Sequence, residues 1–387
     1  MTPITQTALS RRARAAIVLG YFFTAVMAAM LGPLLPSLAA RFATSDARTG
    51  ALFPALFGAS ALAALVSAVD LRRSLVAGMA LVAVGVALLG AGEWTWVLAG
   101  AAVLGAGVGL LIPASNLLIA HSSGERRGAA LNWLNFAFGA GAIASPLLLA
   151  RLERHLDFAG ALHALAGAAA LAFLLLWLTP GLEVAQASGH SSFTPLEGSL
   201  HKVLLVAAAM FVYVGAETAV AGWTPTHVAR LPGGAAWDKI SVACFWAALV
   251  AGRALAPLLL QRVSETRLHA AALLMAGAGC ALLLLAPSPA VAVAGAAMTG
   301  AGFAPVYALN VSLLARASAH PPGWVFSCAG LGGAALPWLT GVISDRSGSL
   351  RWGLLVPALG GALMLTLLAA SSMLSSGPLS RDPSSSS

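Results

Sequence analysis

Charge is what this sequence has least of. Only 9% of its 387 residues are Asp, Glu, Lys or Arg, against about 25% in an ordinary water-soluble domain. A soluble fold of this length could not keep its surface wet with so little charge, so that class is excluded. Cysteine is scarce as well. Cys244, Cys280 and Cys328 all fall in apolar stretches without paired spacing, which argues against a disulfide framework or a thiolate metal site and leaves them as small buried hydrophobes. No Walker lysine, metal-ligand cluster or nucleophile elbow is present, so neither enzyme chemistry nor a cofactor is expected. The net charge of +8 does not point to nucleic acid. The basic residues come one to three at a time, with no basic run and no aromatic-laced patch.

What the sequence has instead is apolar length. It is 59% hydrophobic, with a mean hydropathy of +0.89, and its apolar residues come in blocks near 20 long separated by short polar clusters. About 20 residues of helix cross the ~30 Å of bilayer hydrocarbon, and only helices or closed barrels satisfy their backbones there. The expected fold class is therefore an all-α integral membrane protein with twelve transmembrane helices in two six-helix halves. The first six spans are expected near 15–37, 50–69, 74–92, 95–119, 129–150 and 159–178. The second six are expected near 202–226, 238–261, 267–286, 290–315, 323–343 and 352–374. The basic start and apolar run at the N-terminus resemble a signal peptide, but the block continues past residue 30 and reads as an uncleaved first helix. Between the halves lies "PGLEVAQASGHSSFTPLEGS", rich in Gly, Pro and Ser, which reads as a linker. The expected organisation is thus a first half at 1–179, a cytoplasmic linker at 180–200, a second half at 201–375 and a disordered tail at 376–387.

Loop charge sets the expected orientation. With the N-terminus inside, twelve of the 21 Lys and Arg residues fall on the inner side and eight on the outer, with Arg253 left within a span. The excess favours cytoplasmic termini. An internal repeat supports two halves. Gly139 and Pro146 in span five match Gly330 and Pro337 in span eleven at a constant offset, and "GAGVGLLIPASN" from Gly105 in span four matches "GAGFAPVYALN" from Gly300 in span ten. Two six-helix halves joined by a polar linker resemble the plan of the major facilitator transporters. The Gly-x-Gly-x-Gly at 105–109 lies within a span, where small residues let helices approach closely, and is not read as a nucleotide loop. "SAVDLRRSL" after span two resembles the loop signature of major facilitators, with Asp70, Arg72 and Arg73 present and the glycines missing. It reads equally as an ion-pair latch or as plain positive-inside anchoring. "GVISDRSGSLR" resembles that signature more closely but falls after span eleven, on the side expected to be outside.

Polar residues at membrane depth are the candidates for function. Glu217 is the only acid in the interior of an expected span. An acid at the bilayer centre costs roughly 3 kcal/mol on insertion scales, and ten residues inward from His227 put Glu217 about 15 Å deep. Tyr213 stands one turn away on the same face, and Gly222 and Pro225 would let the helix break, as transporter helices do near their sites. Arg253, the only base within a span, lies about 22 Å from the outer end of span eight, within side-chain reach of Glu217. The pair is expected to serve proton coupling, with a structural ion pair as the alternative. Asn132 and Asn135 are three apart on one helix face. With Asn116 and its counterpart Asn310 they could offer amides to a polyol, or hydrogen-bond helix to helix, Asn116 with Asn132 for instance. Trp223, Trp246 and Trp338 could stack on a sugar ring or face lipid in the aromatic belt.

"YVGAETAVAGW", "FWAALVAGR" and "GLGGAALPWLTGVISDRSGSLR", with "LNWLNFAFGAGAIASP" in the first half, together resemble the bacterial fucose–galactose–glucose:proton symporters. The resemblance implies transport of a hexose-like sugar with a proton in the bacterial inner membrane. Members of the fucose branch carry acids in spans one and four. Here span one offers Tyr21 and Thr24, and span four offers Asn116, so coupling would fall on Glu217. The expected protein is a secondary active transporter working by alternating access as a monomer, with a small solute, a proton or sodium ion and the lipid bilayer as partners. The alternatives are a major facilitator exporter of drugs or metabolites, and a membrane sensor that no longer transports.

Overall fold

The computed structural model of the chain describes residues 9–182, 199–318 and 324–375. Most of the expected linker and the whole expected tail lie outside them. The first bundle comprises α1 (Arg11–Ala29), α2 (Leu31–Phe42), α3 (Asp46–Gly50), α4 (Leu52–Ala64), α5 (Leu71–Leu89), α6 (Trp94–Ser122), α7 (Arg127–Leu152) and α8 (Phe158–Leu178). The second comprises α9 (Leu200–Ala229), α10 (Asp238–Leu260), α11 (Glu265–Leu285), α12 (Pro289–Phe303), α13 (Val306–Ala317), α14 (Trp324–Ser347), α15 (Leu350–Gly353) and α16 (Leu355–Ser375). Eleven helical runs among the described residues are long and apolar enough to cross a membrane, counting α1–α2, α12–α13 and α15–α16 as one run each. The second crossing is made by the short pair α3 and α4, and α4 alone, at 13 residues, is below that length.

Side-chain caps fix several helix starts. Ser10, Asp70, Asp157 and Ser264 each accept a hydrogen bond from the backbone N–H three residues on, which satisfies one of the four donors a helix start leaves over. Asp70 therefore caps its own helix α5 and pairs with Arg73 at 3.1 Å. Two of the long crossings are interrupted part-way along. The first breaks at Met30, between α1 and α2, and the tenth at Ala304 and Pro305, between α12 and α13. Proline supplies no N–H to the preceding turn, which ends the upstream hydrogen-bond ladder.

The bundles are held by close backbone approach at glycine, and the approaches repeat. A Cβ at Gly105 of α6 would strike the Leu56 carbonyl of α4, and one at Gly300 of α12 would strike the Phe245 carbonyl of α10. A Cβ at Gly141 of α7 would strike Phe22 of α1, and one at Gly332 of α14 would strike Phe211 of α9. Each pair places the same helix–helix contact in both bundles, so the weak sequence repeat corresponds to a repeated packing. With no hydrophobic drive between helices in lipid, such contacts and interhelical bonds carry association. Ser145 of α7, donating to Val26 O of α1 at 2.6 Å, is one such bond.

The bundles meet at one end and part at the other. Where they meet, α2 crosses α9 with Gly32 against Ala221 and Gly222, while α3 and α4 pack on α14 through Gly50, Phe57, Gly333 and Gly341. Gly139 of α7 abuts Val250 of α10 near the middle. Beyond that point the facing residues are open: Trp133 is 70% exposed and Phe136 55% exposed.

Candidate functional site

A small charged cluster sits at the head of this opening. Tyr213 and Glu217 occupy successive turns of α9, and the Tyr213 hydroxyl donates to Glu217 Oε2. The same hydroxyl lies 3.2 Å from Phe303 O, at the C-terminal end of α12. Arg253 reaches in from α10, its Nη2 3.7 Å from Glu217 Oε2 and 3.5 Å from Tyr213 Oη. The Tyr213 ring is fixed edge-on against Phe303, with centroids 5.7 Å apart, and lies 6.1 Å from Tyr307 of α13. The break between α12 and α13 thus falls beside the cluster, leaving a backbone carbonyl free to face it. An acid, a base and a phenol are held together where neither charge alone would be tolerated.

Next to the cluster, a cavity of about 370 Å³ lies between α7 and α10. Asn132, Trp133, Asn135 and Phe136 line it from α7, and Trp246 and Arg253 from α10. The i, i+3 spacing of the two asparagines puts both amides on the cavity face. Arg253 has a 43% exposed side chain, whereas Glu217, at 16%, stands behind it and is not among the lining residues.

Other expected site residues are placed elsewhere. Asn116 Nδ2 donates to Tyr21 Oη at 3.2 Å and to Ile112 O at 2.9 Å, so it ties α6 to α1 and does not bridge to Asn132. Asn310 is 1% exposed and faces a crevice inside the second bundle, beside Val206 and His269, not the cavity between bundles. Its mirror relation to Asn116 is one of sequence position and does not extend to what the two side chains touch. Trp223 is fully buried where the bundles meet. Its Nε1 donates to Pro337 O at 2.8 Å and its ring packs on Phe53, so no face is open to a solute. Trp338 stays 45% exposed and is not among the residues lining the cavity. The break expected at Gly222 and Pro225 does not occur. α9 runs unbroken from Leu200 to Ala229 with Pro225 inside it, and the absent side chain of Gly222 makes room for Phe53.

The closed end contains a network that sequence reasoning missed. Asp46 accepts from Arg230 Nη1 at 2.8 Å and Nη2 at 2.5 Å, and from Ser344 Oγ at 2.5 Å. Asp345 in turn accepts from the backbone N–H groups of Asp46 and Ala47 at 2.8 and 2.9 Å, capping α3 from across the bundle interface. Lys239 Nζ lies 2.8 Å from Glu153, a second bridge between bundles. Asp345 belongs to the "SDRSG" run that resembles the loop signature. Its placement after span eleven has a structural reason, since the aspartate closes the end of the molecule that α3 occupies. "TSDARTG" carried the other signal, a Ser-Asp helix start in an otherwise apolar hairpin.

No curated protein matches the sequence. Among solved structures, the chain is similar to the fucose:proton symporter FucP of E. coli at 19% identity, covering 92% of this chain and 98% of that one, with a TM-score of 0.60. It is similar to a peptide transporter, POT, at 14% identity over 96% and 98% of the two chains, with a TM-score of 0.77. It is also similar to a nucleoside transporter, NupG, at 12% identity over 94% and 99%, with a TM-score of 0.74. At these identities the likeness is one of fold. The sequence itself matches the family model described as Major Facilitator Superfamily over residues 17–322, and with a membrane-spanning helical fold whose paired bundles enclose a cavity, the chain belongs to that superfamily.

Proposed function

We propose that the protein is a secondary active transporter that moves a small polar solute of sugar type by alternating access, with a proton as the coupling ion. One observation carries the reading: Glu217 is held by Tyr213 and Arg253, and Arg253 lines a cavity between the two bundles. A carboxyl that exchanges its partner with the state of the cavity can load and release a proton. Asn132 and Asn135 would meet hydroxyls, and Trp133, Phe136 and Trp246 would cover the flat apolar face of a ring. The termini would lie in the cytoplasm of a bacterial cell, residues 1–179 and 201–375 forming the moving halves around the 180–200 linker. The conformation described would then be closed to the outside and open inward. Protein in liposomes should accumulate labelled sugar when an inward acid gradient is imposed and should not respond to a sodium gradient of equal size. Accumulation that follows sodium alone would overturn the proton assignment, and exchange of no sugar in a hexose panel would overturn the substrate assignment. The aromatic lining also suits an exporter of apolar drugs or metabolites. That reading is favoured if such compounds, and no sugars, exchange in the same assay.

A further inference from the structure

We propose that the solute is a sugar acid, a polyhydroxylated carboxylate whose anionic group is received by Arg253. The proposal rests on the sugar-transport reading above and sharpens it. Its starting point is how loosely Arg253 is held. Arg230, Lys239 and Arg316 approach their acids to 2.5, 2.8 and 2.6 Å, distances at which charge-assisted hydrogen bonds form. Arg253 stands 3.7 Å from Glu217, farther than any of those three, and 3.5 Å from Tyr213 Oη. Both separations are at or beyond the limit of a hydrogen bond. Glu217, meanwhile, accepts the hydrogen bond of the Tyr213 hydroxyl. The acid therefore has its partner, while the guanidinium keeps donors to spare.

Those donors face the cavity. Arg253 lines it and no carboxylate does, so the charge that the cavity presents is positive. A planar guanidinium pairs with a carboxylate through two parallel N–H···O bonds. On α7, opposite, stand the amides of Asn132 and Asn135 among the aromatic rings of Trp133 and Phe136. Amides both donate and accept and suit hydroxyls, whereas a purely apolar acid would leave them unpaired. Guanidinium on one wall and two amides on the other match a solute with a carboxylate at one end and hydroxyls along its length.

Charge conservation then specifies the coupling. Ionised Glu217 and Arg253 sum to zero, and a carboxylate entering alone would leave an uncompensated negative charge in a half-dry site, which is unfavourable. One proton taken up by Glu217 as the substrate carboxylate replaces it beside Arg253 restores the balance. The titratable groups facing Glu217 are Tyr213 on its own helix, Arg253 on α10 and Tyr307 on α13. Cys244 on α10 lies nine residues from Arg253, about 13 Å along the axis. Cys328 on α14 precedes Gly332, which abuts Phe211, and lies farther still from Glu217.

Counterflow in liposomes tests this with D-glucuronate and D-gluconate against D-glucose as the neutral match and benzoate as the carboxylate without hydroxyls. The expected result is that the two sugar acids exchange at concentrations at least about tenfold lower than glucose and that benzoate is poor. Uptake should carry one proton per anion and be indifferent to a potassium-diffusion potential. Arg253→Gln should abolish the preference for acids over glucose, and Arg253→Lys, which keeps the charge and loses the fork, should fall between. Because the ranking is read on the parent protein, a variant that fails to insert does not decide the outcome. Glucose preferred to, or equal with, the acids overturns the proposal and leaves the sugar reading standing. Benzoate without the sugar acids overturns both, as does exchange of none of the four. Uptake driven by membrane potential overturns the proton balance.

Discussion

Glu217 and Arg253 show how much a residue reveals through its position in the chain alone. Each is a charge in the interior of an apolar span, and counting 1.5 Å per residue from the outer end of each span predicts depths about 7 Å apart, within side-chain reach; the structure places the two charged groups 3.7 Å apart. Glu217→Gln keeps the shape of the side chain and mimics its neutral form. It should abolish pH-driven uphill accumulation while sparing exchange, and continued accumulation of solute after an acid step would remove Glu217 from the coupling. Asn135→Ala should weaken solute affinity about fivefold, the worth of one neutral hydrogen bond near 1 kcal/mol. An unchanged half-saturation concentration in counterflow would place Asn135 outside the site. Asn310 and Trp223 mark the limit of such reading. Depth follows from counting along one helix, but the direction a side chain faces depends on how that helix is rotated against its neighbours. One buried asparagine therefore turned into its own bundle, and one tryptophan into the interface between bundles.

At the scale of elements, number and order were legible because each apolar block is long enough to cross a bilayer and the turns between them are polar. The interruptions were less so. Gly222 and Pro225 look like a break and are not one: α2 and Phe53 pack against Gly222, and α9 continues past Pro225 to Ala229. Pro305, which stands in a Gly-rich span of similar appearance, does end its helix. What decides between the two is the neighbour, which a single sequence does not display. The glycine contacts provide a test of packing. Gly332→Val would drive a branched side chain into the Phe211 backbone, whereas two residues away Gly330 has open space around its Cα. Overpacking of this kind costs about 1–3 kcal/mol or more. Gly332→Val should lower the melting temperature in detergent by several degrees and Gly330→Ala should leave it unchanged; equal melting temperatures would refute the assigned contact.

For the whole molecule, the balance between closed and open ends rests on few bonds. Arg230, Ser344 and Asp345 converge on the first turn of α3, a helix of only five residues. Arg230 is half exposed, so its ion pair contributes on the order of 1 kcal/mol or less. The cap from Asp345 is worth about 1 kcal/mol. Asp345→Ala should therefore raise the population open at that end about fivefold. Thr49 is fully buried there. In a background without the three native cysteines, Thr49→Cys should react with a water-soluble maleimide about fivefold faster when Asp345 is replaced. An unchanged labelling rate would show that the cap does not restrain the two bundles.

The burial of Trp223 makes this closure visible by light. Its indole has no contact with water, is bonded at nitrogen to Pro337 O and is wedged against Phe53, while Trp96, Trp133, Trp177 and Trp352 are more than half exposed. Parting of the bundles at that end would wet one chromophore and leave Trp96, Trp177 and Trp352, which do not line the cavity, in surroundings close to their present ones. Emission should shift to the red as α3 separates from α14, and Trp223→Phe should erase the shift. The residue that the sequence offered as a platform for sugar would then serve as a built-in optical gauge of which end of the protein is open.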